Sequence, residues 1–207
     1  MKKKLILILG LSFVLTACGN KNVANKTDNN QNIGNKIENA VNIDNDNTKD
    51  IQELRMANGK NIAYEDITIK AEEAARIFKN DKPNVNLKDI SLEIEANSYV
   101  YKLSGVTETE EYEIEINPVT GDIIKTETEK DRDLVEGFEI NDDHLAKIDP
   151  IIEKALADAG EEYSFYEWDI EVDDGRIELN VELRDKSGKD IEYKYNVENE
   201  ELIEKER

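Results

Sequence analysis

One cysteine, one histidine and three prolines stand in 207 residues, and each scarcity closes a class of answers. Without a second cysteine, an intrachain disulfide framework is excluded. With His144 as the single histidine, neither an imidazole-based catalytic dyad nor a multi-histidine metal centre can form within one chain. His144 itself, beside Asp142 and Asp143 near a helix start, is expected to face solvent. No serine stands in a Gly-x-Ser-x-Gly setting, and no glycine loop has a phosphate-cradling pattern. Positive charge is also short: 27 Lys and Arg face 48 Asp and Glu, a net charge of −21. Nucleic acid and anionic headgroups should repel such a chain, because both are bound through Lys and Arg. Catalysis would have to rest on carboxylates alone, as in glycosidases, and acids are so abundant here that two lying close would mean little. No catalytic residue, metal ligand or cofactor is therefore expected.

What is present begins with Lys2, Lys3 and Lys4, an apolar run from Leu5 to Val14, and the small residues Thr16 and Ala17. That is the layout of an export signal. The run is too short to span a bilayer, which takes about 20 apolar residues for a hydrocarbon core of about 30 Å. Leu15-Thr16-Ala17-Cys18 resembles the bacterial lipoprotein box, which implies a diacylglycerol on the Cys18 thiol, cleavage just before it, and attachment to the outer side of the cell membrane. A chance thiol in an ordinary secretory signal, or an uncleaved membrane helix, are the alternatives. Loss of residues 1–17 would remove three lysines and leave a balance of −24 (−21 − 3). Attachment would then rest on the lipid, for which two acyl chains suffice.

From Gly19 to about Asn58 the chain is rich in Asn, Asp and Lys and has no aromatic residue. Too little apolar surface is available to offset the entropy of ordering, so residues 18–61 are expected to form a disordered tether. As a flexible coil of about 40 residues it would span roughly 35 Å.

The remainder reads as one pattern written twice. Sliding the chain by 78 residues sets Ile77 and Phe78 over Ala155 and Leu156, Ile90 over Trp168, Leu92 over Ile170, and Tyr99, Tyr101 and Leu103 over Ile177, Leu179 and Val181. Beyond a loop of different length, Tyr112, Ile114 and Ile116 are matched to Tyr193, Tyr195 and Val197. In the first copy Ala71, Ala74, Ala75 and Phe78 recur at helical spacing, opposite Glu72, Glu73, Arg76 and Lys79. Pro83 disfavours helix just before it. Three stretches of period two follow: Ile90, Leu92, Ile94; Tyr99, Tyr101, Leu103; Tyr112, Ile114, Ile116. Alternation buries one face and leaves Glu93, Glu95, Glu113 and Glu115 to water. Asn97-Ser98 marks the first hairpin, Asn117-Pro118-Val119-Thr120-Gly121 a second turn, and Ile123 and Ile124 the start of a fourth strand.

In the second copy Asp149 suits a helix cap and Pro150 a first helical position, giving a helix to Ala159 stopped by Gly160. Residues 141–148 form a candidate short helix in front of it. Strands are expected over 169–172, 177–183 and 191–197, with Asp173-Asp174-Gly175 as a tight turn. The fold class is α+β: two tandem units, residues 62–130 and 138–207, each a helix on a three- to four-stranded antiparallel sheet. A unit of about 65 residues buries too little alone, so the two should pack on each other or share a helix interface.

Helix, alternating strands, "YEIEINPVTGDII" from Tyr112 to Ile124, and the weaker copy "IEYKYNVENEELI" from Ile191 to Ile203 resemble the PepSY domain of thermolysin-type propeptides and of bacterial secreted or lipid-anchored proteins. Tyr112, Thr120 and Gly121 fit its closing motif, while the second copy departs from it with Asn199-Glu200-Glu201. The resemblance implies a protein-binding role at the cell envelope, with control or inhibition of an extracellular peptidase as its sharper form. It names no catalytic residue. Acidic ligand or cation binding is the alternative, suggested by Asp169, Glu171, Asp173 and Asp174 and by Glu108, Glu110, Glu111 and Glu113, although helix-loop-helix calcium spacing is missing. Trp168 is expected in the core, and Tyr163 or Tyr166 as satellite packing or an outward contact.

Overall fold

The structure, a computed structural model, describes residues 48–130, 139–173 and 175–207. The signal segment, Cys18 and the tether through residue 47 lie outside the described residues. Residues 48–61, placed in the tether by composition, are a correction: they form α1 (Thr48–Leu54) and a hairpin of β1 (Met56–Ala57) with β2 (Lys60–Asn61). Asn58-Gly59 turns this hairpin with both φ angles positive, 54° and 72°, as a type I′ turn demands. A 3-10 turn at Tyr64–Asp66 leads to α2 (Ala71–Asp81), whose Ala71, Ala74, Ala75 and Phe78 are buried.

A meander follows: β3 (Asn86–Glu95), β4 (Ser98–Val106), β5 (Glu110–Ile116) and β6 (Ile123–Lys130). After the short α3 (Asp142–Leu145) come α4 (Ile148–Ala159) and a second meander, β7 (Tyr163–Asp173), β8 (Arg176–Asp185), β9 (Asp190–Asn196) and β10 (Glu201–Glu206). All eight strands join one antiparallel sheet in the order β10-β9-β8-β7-β3-β4-β5-β6. The two meanders meet edge to edge at β3 and β7, with Asp89 opposite Glu171 and Leu92 opposite Trp168, and the helices also meet, α2 against α3. This arrangement continues the apolar face across the seam, where Ile90 and Ile170 pair at 0% exposure. Burying both inner edges also removes two unpaired strand edges. Helices α2 and α4 cover that face, and one cluster runs from Phe78, Leu87 and Ile114 to Ala155, Trp168 and Tyr193.

The ladders on the two sides of the seam match in detail. A bulge breaks the register between Leu87 and Asp89 in β3 and between Phe165 and Glu167 in β7, positions 78 apart (165 − 87). Outer bulges leave Ile124 unpaired in β6 and Ile203 unpaired in β10, 79 apart (203 − 124). The third-strand alignment read from sequence shifts accordingly. Leu103 pairs with Ile114 and Val181 with Tyr193, so Tyr112, Ile114 and Ile116 correspond to Ile191, Tyr193 and Tyr195.

Three local expectations move as well. The β3–β4 hairpin turns at Ala96-Asn97, both with positive φ, while Ser98 is fully buried and bonded to the Ile62 N–H at 2.8 Å. Helix α4 starts at Ile148 after Lys147, so Asp149 lies in its first turn and does not cap it. Pro150 is tolerated there because first-turn N–H groups have no intrahelical acceptor. Strand β7 begins at Tyr163, six residues before the expected start (169 − 163), because the sheet continues over the bulge at Tyr166.

Candidate functional site

The closing motif is held by Asn117, a residue 2% exposed. Its Oδ1 accepts from Val119 N at 2.9 Å and Thr120 N at 3.1 Å, and Gly121 N donates to Asn117 O at 2.9 Å. Gly121 takes φ 74°, and a Cβ there would lie 3.1 Å from Ile69 Cδ1 and 3.2 Å from Ile77 Cδ1. The turn clamps the chain entering α2: Thr68 N and Ile69 N donate to Pro118 O, and Thr68 Oγ1 donates to Val119 O at 2.9 Å. Tyr112 is not brought to this turn. It stands near the other end of β5, where its hydroxyl donates to Glu110 and Lys82 Nζ lies 5.5 Å from its ring centre. Among the described members of the motif, then, Thr120 and Gly121 act together and Tyr112 acts apart, all as packing and turn chemistry.

Asn117 also grips the segment after α1. Its Nδ2 donates to Leu54 O at 2.8 Å and Met56 O at 3.2 Å, while Arg55 pairs with Glu115 through two contacts of 2.5 and 2.7 Å and approaches Glu95 at 3.9 Å. Glu115, expected in water, is 5% exposed because this guanidinium covers it. Composition gave no hint of the ion pair, since its partners are 60 residues apart.

The face of the sheet opposite α2 and α4 carries the acids. At its centre, where Ser91 faces Asp169, carboxylate oxygens of Asp89, Asp169 and Glu171 lie within 4.8 Å of one another. They line a hollow of about 290 Å³ together with Ser91, Glu93, Glu167, Trp168, Asn180, Glu182 and Glu192, except for Glu171, which borders the neighbouring hollow. Burial, then the charges of Asp169, Glu171, Glu93 and Glu113, push the Asp89 carboxyl up to about 8. Burial also lifts Asp169 to about 6 against the hydrogen bond that Asn180 Nδ2 donates to it at 2.8 Å. Such a set can retain a proton at neutral pH or offer oxygen ligands to a hard cation. The sequence pointed to Asp169 and Glu171; Asp89 was missed, because only the β3–β7 pairing brings it beside them. Glu110, from the other expected acidic run, is engaged by Tyr112.

His144 corrects its expectation. It is 8% exposed, its Nδ1 accepts from Asn141 N at 3.2 Å, and its Nε2 lies 3.1 Å from Glu198. It closes the turn of α3 onto the end of β9 and lines neither acidic hollow. Trp168 is in the core at 5% exposure. Tyr163 packs against that core, and Tyr166 carries the Arg184 guanidinium 3.3 Å from its ring centre.

Two comparisons with known proteins bear on this architecture. The PepSY family, described as "Peptidase propeptide and YPEB domain", matches residues 68–127, which run from the approach to α2 into β6. A crystal structure of a "putative lipoprotein" from Clostridium difficile 630 is similar in fold, with a TM-score of 0.52 at 21% identity, over 68% of this chain and 93% of that one. No curated protein matches the sequence. No helix of the described residues is long and apolar enough to cross a membrane.

Proposed function

We propose that this chain is a non-enzymatic, extracytoplasmic protein-binding module, anchored in the cell membrane by lipid on Cys18 and raised from it by the residues before α1. The observation that carries the reading is the PepSY match over residues 68–127, a family described by peptidase propeptides. An extracellular peptidase is accordingly its first candidate partner, and Tyr112, Thr120 and Gly121 serve to hold the fold. The second meander, with the same bulges, is a diverged copy of the first that completes the shared sheet.

The test uses the lipidated full chain and the peptidases secreted by the bacterium that makes it. Inhibition that saturates at one chain per peptidase is expected; unchanged activity at a large molar excess rejects the peptidase partner. Replacing Cys18→Ala should abolish incorporation of labelled fatty acid and release the protein to the medium, and retention with the membrane would reject the anchor. A second reading, cation binding, is favoured by the approach of Asp89, Asp169 and Glu171 within 4.8 Å. Calorimetric titration with calcium at physiological salt should then give saturable heat that Asp89→Asn removes, and its absence dismisses that reading.

A further inference from the structure

The two ends of the sheet are built alike and covered differently. At the β5–β6 end, α1 packs on β6, Asn117 Nδ2 holds the carbonyls of Leu54 and Met56, and Ile124 in the bulge is 2% exposed. At the β9–β10 end, Asn196 takes the place of Asn117 at a shift of 79 (196 − 117) and makes the same turn, its Oδ1 accepting from Glu198 N at 2.9 Å and Asn199 N at 3.3 Å. Its Nδ2 donates to nothing among the described residues. Leu202 and the bulge residue Ile203 are 48% and 43% exposed. Every residue of β10 is exposed.

Resting on the protein-binding reading, we propose that this uncovered end is the docking surface, and that it takes an extended segment of a partner protein in which a lysine or arginine stands between apolar residues. The occupant at the other end supplies the pattern: Leu54-Arg55-Met56 gives two carbonyls to an asparagine amide and one cation to sheet carboxylates. At Glu115's own place the bare end has Lys194 (194 − 115 = 79), already paired with Glu178, so the carboxylates left to hold a cation are those of β10. Glu204 faces Lys194, and Glu206 faces Glu192, on the open side of the sheet. Neither Glu204 nor Glu206 has an ion pair among the described residues, and Lys205 is already held by Asp158 and lies 4.9 Å from the Tyr193 ring centre. A docked segment would give a carbonyl to Asn196 Nδ2, cover Leu202 and Ile203 with its apolar side chains, and set its cation against Glu204 and Glu206. This is recognition by main-chain bonds with side-chain selection.

The experiment places p-benzoylphenylalanine at position 203 of the lipidated full chain in its own membrane, with Glu153 on the exposed side of α4 as the control position. Irradiation should crosslink a partner from position 203 and not from 153, through a partner peptide that holds Lys or Arg between apolar residues. Leu202→Lys with Ile203→Lys should weaken binding of that purified partner at least tenfold while the circular dichroism spectrum stays unchanged. Crosslinks from 153 alone, a crosslinked segment that is acidic, or undiminished binding by the double variant overturn this docking surface and leave the protein-binding reading standing. Crosslinks from neither position also overturn this docking surface, and the reading it rests on falls with it only if no secreted peptidase is inhibited.

Discussion

Phe78 and Gly105 in the first half of the molecule stand where Ala155 and Leu183 stand in the second: the buried faces of α2 and α4 superpose at a shift of 77 (155 − 78), one less than read from sequence, and the strands at 78 (183 − 105). The same frame is filled once from the helix, by a ring over an absent side chain, and once from the strand, by a leucine under an alanine. A Cβ at Gly105 would lie 2.6 Å from Asn86 O, 2.7 Å from Val85 Cγ1 and 2.9 Å from Phe78 Cζ, whereas Leu183 sits at 0% exposure in its own slot. The contrast shows volume conserved across a pair of positions while neither position is conserved alone, as close packing requires. Gly105→Leu should therefore cost about 3 kcal/mol or more. Adding Phe78→Leu should recover part of that loss by opening the ring's space, and not all, because Asn86 O is backbone. Urea unfolding of the two single variants and the double gives the coupling; strictly additive losses would break the comparison.

The seam offers the next largest contrast. Asp89 in β3 corresponds to Glu167 in β7 (167 − 89 = 78), and both carboxyls are lifted by burial, but Asp89 alone reaches about 8. A folded-state value raised above the unfolded one means that protonation favours the fold. That stability is complete below pH 4 and is lost as pH rises from about 4 through about 8, where the folded carboxyl finally ionises against Asp169, Glu171, Glu93 and Glu113. Lys102 and Lys194 are the nearby cations of the open face, and their ion pairs go to Glu93, Glu95 and Glu178 instead. Asp89→Asn should raise stability at pH 9 by about 3 kcal/mol and flatten the pH profile, with Glu167→Gln doing less. A profile for Asp89→Asn parallel to that of the parent would show that the seam does not set the pH response.

Removing the cover from the first end should make it resemble the second. Arg55→Ala strips the guanidinium from Glu115, whose side chain is 5% exposed, and a buried carboxylate left without its cation is costly. The expected loss is about 2 kcal/mol, since water can enter as α1 detaches. Hydrogen exchange should rise at β6 around Ile124 while β10 around Ile203 stays as it is. Unchanged protection at Ile124 would mean that α1 is not its cover.

How much of this was legible follows from the range of the interactions. The helix at Ala71, the alternation in β3 to β5 and the turn at Thr120-Gly121 rest on neighbours a few residues apart, and the pattern shows them directly. The joint between β3 and β7 depends on two edges about 80 residues apart (169 − 91 = 78), and nothing in either strand alone says that it is an inner one. The same holds for Asp89 beside Asp169, for Arg55 on Glu115 and for His144 beside Glu198. Each is a polar contact made by tertiary pairing, where hydrophobic periodicity carries no signal. The third-strand alignment slipped by two residues because apolar alternation repeats every two, so either placement satisfies the pattern.

The smallest expected effect concerns the turn itself. At a shift of 79, Glu200 stands where Gly121 does (200 − 121), and it adopts φ 55° against 74°. A side chain in the left-handed region is strained, whereas glycine is at ease there. Glu200→Gly should then stabilise by about 0.5 to 1 kcal/mol, as for other residues relieved of a positive φ. The substitution loses a 3.7 Å ion pair with Lys154, but that pair is exposed and contributes little, and Lys154 Nζ keeps its 3.0 Å bond to the backbone carbonyl of residue 200. The reverse change, Gly121→Ala, brings the strain to the first half and crowds Ile69 and Ile77, so it should cost about 1 kcal/mol. Thermal unfolding of both variants decides the matter: a gain at 200 with a loss at 121 means that one turn geometry serves both ends, and a loss at 200 would mean that the second turn has come to depend on its glutamate.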